Sequence, residues 1–244
     1  MSVEVQLQGH RTSQVSWRIA TGLRNPRLAW AYLNRKRRIA RITGCSFGQV
    51  KSYYDELSSD YIFLDQIRTG LSEFHDLGLG FAGCSPELYV ISRIAKPATI
   101  IETGVANGVS SAFMLRALER NHSGTLISVS LDKSGDKLVP YGKDVGWLVP
   151  DRLRARWQLR LGKSSELLPS ITDGVKPLDI FFHDSDHSHE NMMFEFETTW
   201  PRIKPGGYLL ADDAWLNDSF PEFCRNHELS PNYIRNSGMV KKHS

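Results

Sequence analysis

Cysteine is scarce in this chain: Cys45, Cys84 and Cys224 are the three present in 244 residues. Scattered singly, they form neither a disulfide framework nor a CxxC metal pair, and they suit buried thiols in a reducing compartment. No apolar run approaches the ~20 residues that span a bilayer. The first residues, MSVEVQLQGH, lack the charged-then-apolar pattern of a secretory leader. These absences lead to the expectation of a cytoplasmic protein whose membrane contact, if any, is peripheral at the inner face. Internal repeats and low-complexity tracts are also missing. Net charge is small, at +3, but unevenly spread. Residues 1–51 hold ten Lys/Arg and a single acid, Glu4, which leaves a mildly acidic body behind a basic arm.

Apolar residues make up 41% of the chain, enough for a sizeable core. Residues 26–44 read as one basic amphipathic helix, with Leu28, Tyr32, Ile39 and Ile42 on its apolar side. Further helices are expected over 48–58 and 60–71, then a loop over 78–86. Ser85 and Pro86 form an N-cap and first-turn pair for a helix over 86–96. Beyond that point the pattern changes. Short apolar strands (98–103, 124–131, 156–162, 178–184, 205–213) alternate with helices (107–121, 163–171, 188–200). Such alternation implies an α/β fold with a mostly parallel sheet covered on both faces. A helix near 219–227 and a short hairpin turning about Ser237–Gly238 complete the chain.

In parallel sheets ligands bind beyond the carboxyl ends of the strands. The first strand runs into Glu102-Thr103-Gly104-Val105-Ala106-Asn107-Gly108, a glycine-rich turn that lets backbone approach a ligand. It is not the dinucleotide fingerprint GxGxxG, because Ala106 interrupts it. The third strand is followed by Gly162-Lys163-Ser164-Ser165, in which Ser164 can cap a helix. The fourth ends at Asp184 and the fifth at Asp212-Asp213. Three carboxylates converging in a cleft repel one another unless a cation sits among them. All-oxygen ligation suits Mg²⁺, Mn²⁺ or Ca²⁺.

The stretch FFHDSDHSHE adds His183, His187 and His189. A zinc-hydrolase HxHxDH pattern fails, since Phe182 and Asp184 stand where histidines belong. His183 and His189 read best as loop or helix-start residues. His187 is set apart, three residues after Asp184 at the start of the next helix.

The order and spacing of IIETGVANGVSS, LGKSSELLP, LDIFFHDSDHSHE and RIKPGGYLLADD resemble the metal-dependent class I S-adenosylmethionine (SAM) O-methyltransferases. The likeness is to the group of cephalosporin-biosynthesis and rhamnosyl O-methyltransferases, and more distantly to catechol O-methyltransferase. It covers roughly residues 80–240. The resemblance implies a Rossmann-like, doubly wound sheet: a SAM-binding domain over 85–244, preceded by a basic helical extension over 1–84. SAM would lie on Glu102, Gly104, Ala106, Gly108, Ser110, Ser164 and Ser165. The ribose acid of the family falls at Ser130, whereas this chain has an acid two residues later, at Asp132. Mg²⁺ or another divalent cation would sit on Asp184, Asp212 and Asp213, with Asp186 as an outer or alternative ligand. His187 occupies the place of the family's proton-accepting lysine and is expected as general base beside catalytic Asp184. The acceptor implied is a hydroxyl of a sugar, glycolipid or secondary metabolite.

Two other classes compete. A nucleotide-dependent oxidoreductase could use a similar sheet, but it would need the missing fingerprint and would have no use for the three acids. A non-catalytic methyltransferase-like protein could bind an anionic membrane through residues 11–51, where Trp17, Trp30 and the Arg35–Arg41 cluster lie, but the acids argue against it. The same arm, or another subunit in a homo-oligomer, could instead wall the acceptor site. Nucleic acid is not an expected partner, because no nucleic-acid module or NPPY-type motif is present.

Overall fold

The computed structural model describes residues 26–72, 84–132, 138–175 and 177–243. The first 25 residues of the basic arm, with Trp17, therefore lie outside the described residues, as does most of the loop expected over 78–86. Helix α1 is Pro26–Leu33 and α2 is Arg35–Thr43. The single helix expected over 26–44 is thus interrupted at Asn34. The side-chain amide of Asn34 donates to the Trp30 carbonyl at 3.0 Å, competing locally with regular helix geometry.

Helix α3, Phe47–Ser58, starts with a reciprocal capping box between Ser46 and Gln49. Helix α4 is Tyr61–Ser72 and α5 is Ser85–Ala95. Ser85 was expected as the cap of α5. It is instead the first helical residue, one position inside Cys84.

The sheet has seven strands among the described residues, in the order β3-β2-β1-β4-β5-β7-β6. They are β1 Thr99–Thr103, β2 Thr125–Ser130, β3 Trp157–Leu161, β4 Leu178–His183, β5 Ile203–Ala211, β6 Asn232–Ile234 and β7 Ser237–Lys241. The first five pair in parallel, and β7 runs antiparallel to β5 and β6. The intervening helices are α6 Val109–Asn121, α7 Ser164–Gly174, α8 His189–Thr199 and α9 Ser219–Asn226.

Side chains alternate across the strands and so build two cores. Ile100, Leu126, Phe182 and Leu210 face α5 and α6, and helices α2–α4 join that same core through Ile39, Val50, Leu57 and Phe63. Ile101, Phe181 and Leu209 face the other way, onto Met192, Phe196, Phe220 and Phe223 of α8 and α9. Burial of side chains this size, at roughly 1.5–3 kcal/mol each, holds the helices to the sheet.

The final hairpin turns at Arg235–Asn236, two residues before the expected Ser237–Gly238. Gly238 sits inside β7 because a side chain there would strike the Phe220 ring at 2.5 Å. Its glycine marks a close approach in a strand rather than a turn.

Candidate functional site

Strand order reverses between β1 and its two neighbours, β2 and β4, which is where a crevice opens in a sheet of this kind. A cavity of about 630 Å³ lies there, a volume in the range of small-ligand sites. Its wall includes Gly104, Ala106, Ser110, Ser130, Ser164 and Ser165, together with Cys84, Phe182, Asp184, Asp186 and Asp212. Expected cofactor residues and expected acids therefore share one cavity.

Glycine at 104 has a specific cause. Its φ is +83°, and a Cβ would lie 1.9 Å from the backbone oxygen of Asp184. The turn after β1 is thus packed directly on the loop that carries the first acid. Gly108, also at positive φ, is pressed instead against Gly146 and Val149, where a Cβ would come within 2.9 Å of both. It packs the 146–149 segment onto the turn and is not among the residues lining the cavity. That segment is held further by the Gly146 amide on the Ala106 carbonyl and the Trp147 indole on Asn107 Oδ1.

Glu102 was expected at the cofactor. It is fully buried behind the wall, and the hydroxyls of Ser110, Ser111 and Ser128 donate to it at 2.5, 2.6 and 2.7 Å. Burial pushes its pKa up, and the three hydroxyls oppose that shift. Its role in this geometry is to tie the start of α6 to β1 and β2. Ser130 lines the cavity and accepts from the Val105 amide at 3.3 Å. Asp132 is exposed, just before residues outside the described set, and is not among the lining residues.

At the ends of β4 and β5, Asp184, His187 and Asp212 each offer a ligand atom within 4.8 Å of the others. Asp213, expected with them, lies outside this set. Its backbone is left-handed (φ 47°), its side chain is exposed, and its Oδ1 accepts from Asn236 at 2.7 Å. His187 Nε2 is 4.0 Å from Asp184 Oδ1 and is buried with no hydrogen-bond partner among the described residues.

Electrostatics follow from this crowding. The Asp184 pKa is pushed well above the usual carboxylate range, first by withdrawal from bulk water, then by Asp212, Glu102 and Asp213. Asp212 is raised by burial and by Asp213. The His187 pKa is lowered by burial and by His183, with Asp213, Asp212 and Asp186 pulling the other way. Two acids that resist ionising together, beside an unpaired neutral imidazole, form a donor set that a cation would relieve. The residues present therefore fit a divalent ion.

The other two histidines of this stretch pair with glutamates inside the fold. His189 pairs with Glu222 of α9 at 2.9 Å. His183 is fully buried, its Nδ1 2.7 Å from Glu195. Asp186 accepts from the Ser188 amide at 3.0 Å, turning the loop into α8.

Glu195 is a residue that sequence reasoning missed. It is fully buried and also receives the Thr103 hydroxyl at 2.5 Å, the Ser185 hydroxyl at 2.7 Å and the Asn191 amide at 3.2 Å. It thereby fixes the loop bearing Asp184 and His187. The signal was available: Met192, Glu195, Phe196 and Thr199 form the buried stripe of α8, and an acid inside such a stripe needs partners.

The mostly parallel seven-stranded sheet, with its crevice where the strand order reverses, is a Rossmann-like methyltransferase fold. Residues 101–214 match the family model described as a methyltransferase domain. A catechol O-methyltransferase of Niastella koreensis is 25% identical over 155 residues, covering 62% of this chain and 66% of that protein, just under two thirds of its length. Among solved structures, an O-methyltransferase from Bacillus cereus in complex with SAH superposes with a TM-score of 0.53 at 16% identity, over 75% of this chain and 92% of that one. The O-methyltransferase TomG from Streptomyces achromogenes, involved in tomaymycin synthesis and bound to SAM, gives 0.53 at 16% identity, over 75% and 91%. The likeness read from the sequence holds at the level of this domain. The cephalosporin and rhamnosyl subgroup is not reached by these matches.

Among the described residues, no helix is long and apolar enough to cross a membrane.

Proposed function

We propose that this chain is a SAM-dependent O-methyltransferase acting on a small molecule that carries neighbouring oxygens, such as a catechol or a vicinal sugar diol. The observation that carries the reading is the single cavity shared by the glycine-rich turn and the strand-end acids. The methyltransferase-domain match and the catechol O-methyltransferase relative support it. SAM would be held by Gly104, Ala106, Ser110, Ser130, Ser164 and Ser165, and would supply the methyl group. A divalent ion, Mg²⁺ or Mn²⁺, would be held by Asp184 and Asp212 and would supply positive charge that lowers the pKa of an acceptor hydroxyl.

The chain's own residues do the rest. The turn at 104–108 and the serines after β3 fix one reactant, while the acids fix the other, so much of the rate gain is positioning. His187 Nε2 takes the acceptor's proton. It is suited to this because burial keeps the imidazole neutral. One observation favours a second role: its ligand atom falls within the same 4.8 Å set as the acids. As a third ligand it would shift preference from Mg²⁺ toward Mn²⁺ and later transition metals.

The cofactor assignment is tested by calorimetric titration with SAH. Ser165 is exposed on the cavity wall, so Ser165→Phe should preserve folding and weaken SAH by about tenfold or more. Unchanged affinity would remove the cofactor from this cavity.

A further inference from the structure

We propose that the turn of the β6–β7 hairpin is a clamp that positions the acid pair, and that basic helix α2 braces this clamp from the far side; Asn236 and Ser237 are then positioning residues. The inference rests on the cation reading above and deepens it.

The clamp is visible in four contacts. Asn236 Nδ2 donates to Asp212 Oδ1 at 3.2 Å and to Asp213 Oδ1 at 2.7 Å. The Ser237 hydroxyl donates to Asp212 Oδ1 at 2.7 Å. The Ala214 amide donates to the Asn236 carbonyl at 3.0 Å, closing the hairpin onto the backbone just after the acids. Both side-chain donors to Asp212 use the same oxygen, Oδ1, and so restrain the rotation of a carboxylate that lines the cavity. An aspartate otherwise free to rotate would lose that freedom on holding a cation, and the clamp removes the cost in advance.

The turn itself is held under strain. Arg235 is left-handed at φ 61°, as is Asp213 at φ 47°. Such conformations persist where the surroundings over-determine them. Here Trp215 stacks on Tyr233 at 3.9 Å, and its indole donates to the Arg235 carbonyl at 3.3 Å. Arg235 also lies 3.7 Å from Glu87, which is almost fully buried in α5.

Glu87 is where the N-terminal helices enter. It accepts from the Tyr54 hydroxyl at 2.8 Å and pairs with Arg35 at 3.2 Å. Arg38 donates to the Tyr233 carbonyl, and Arg41 donates to Asn232 Oδ1 at 3.1 Å. Arg35, Arg38 and Arg41 recur every three residues and so share one side of α2. That stripe is engaged with Glu87 and the hairpin. Arg35 and Arg38 are thus engaged with carboxylate and carbonyl partners inside the fold. Helix α2 thereby becomes part of the scaffold of the acid site.

The test uses the full chain, with Mn²⁺ as probe and its binding followed by electron paramagnetic resonance. SAH affinity and melting temperature are read in parallel. Asn236→Ala should weaken Mn²⁺ by about tenfold, as loss of an orienting partner does, with SAH affinity unchanged. Ser237→Ala, a milder change, should move Mn²⁺ in the same direction. Arg38→Met keeps the aliphatic stem and should cost about threefold at a distance. Equal Mn²⁺ affinity in wild type, Asn236→Ala and Ser237→Ala would overturn the clamp while leaving the cation site standing. Equal affinity in Arg38→Met would overturn the brace. A wild type that binds no Mn²⁺ would overturn the clamp and the cation reading together. Parallel losses of Mn²⁺, SAH and thermal stability would reduce these residues to general scaffolding and also overturn the proposal.

Discussion

Asp212→Asn should make the cation-free protein more stable while removing its response to cation. Asp184 and Asp212 offer ligand atoms within 4.8 Å of each other. At that separation and an effective dielectric near 20, two negative charges repel by about 3 kcal/mol. The Asp184 side chain is 34% exposed, and solvent screening cuts this to about 1–2 kcal/mol. Both pKa values are raised in the fold. A carboxyl with a raised folded pKa contributes stability while it is protonated, and that stability is lost as pH rises through the folded value. The cation-free wild type therefore loses stability as pH rises above the ordinary carboxylate range, and Asp212→Asn escapes the part of the loss that comes from the pair. Its amide oxygen can still accept from Ser237 and Asn236, and its NH₂ can face Asp184. For a chain of this length the gain corresponds to about 2–8 °C in Tm. Calorimetry with chelator at about pH 7 should show the variant melting above the wild type, with the gap narrowing at about pH 5. Added Mn²⁺ should raise the wild-type Tm and scarcely move the variant. A variant that melts at or below wild type in chelator, yet gains as much from Mn²⁺, would refute the reasoning.

Other substitutions probe other links. His187→Ala should lower kcat by roughly 10²–10⁴ with SAH affinity intact; wild-type activity should rise with pH through an ionisation below the ~6.5 of free histidine, because burial and His183 lower its pKa. A near-normal kcat with the same profile would take the proton-accepting role from His187, and a loss of Mn²⁺ affinity instead would mark it as a ligand. Gly104→Ala forces a Cβ onto the Asp184 carbonyl at positive φ, so calorimetry should show a loss of about 1–3 kcal/mol or more, with SAH and Mn²⁺ binding both impaired; an unchanged Tm would contradict that packing. Glu195→Gln should cost about 1–3 kcal/mol, because a neutral amide cannot satisfy all four partners of this buried group as the carboxylate does. It should also lower kcat by loosening the Asp184–His187 loop, and full activity at reduced Tm would confine Glu195 to stability.

The sheet was legible because each strand is a short apolar run ended by turn chemistry. The strand-end rule then led to Gly104, Ser164, Asp184 and Asp212, which meet in one cavity. Three features were not legible, each for a stated cause. Glu102 and Gly108 fit a cofactor motif, yet one is consumed by three serine hydroxyls and the other by the 146–149 segment. Motif position alone does not say which side of a turn faces the ligand. The partners of Arg35, Arg38 and Arg41 were hidden because Glu87, Tyr233 and Asn232 lie far along the chain. The hairpin turn was placed two residues late because Gly238 is required by the Phe220 ring, a contact between elements that local sequence does not announce.

Release of SAH from SAM in the presence of catechols and vicinal sugar diols, with and without chelator, tests the central claim most directly. The account predicts that at least one such acceptor drives SAH formation in the wild type. Turnover should stop in excess chelator, return with Mg²⁺ or Mn²⁺, and be absent from Asp212→Asn under every condition. Full turnover in excess chelator, or in Asp212→Asn, would contradict it.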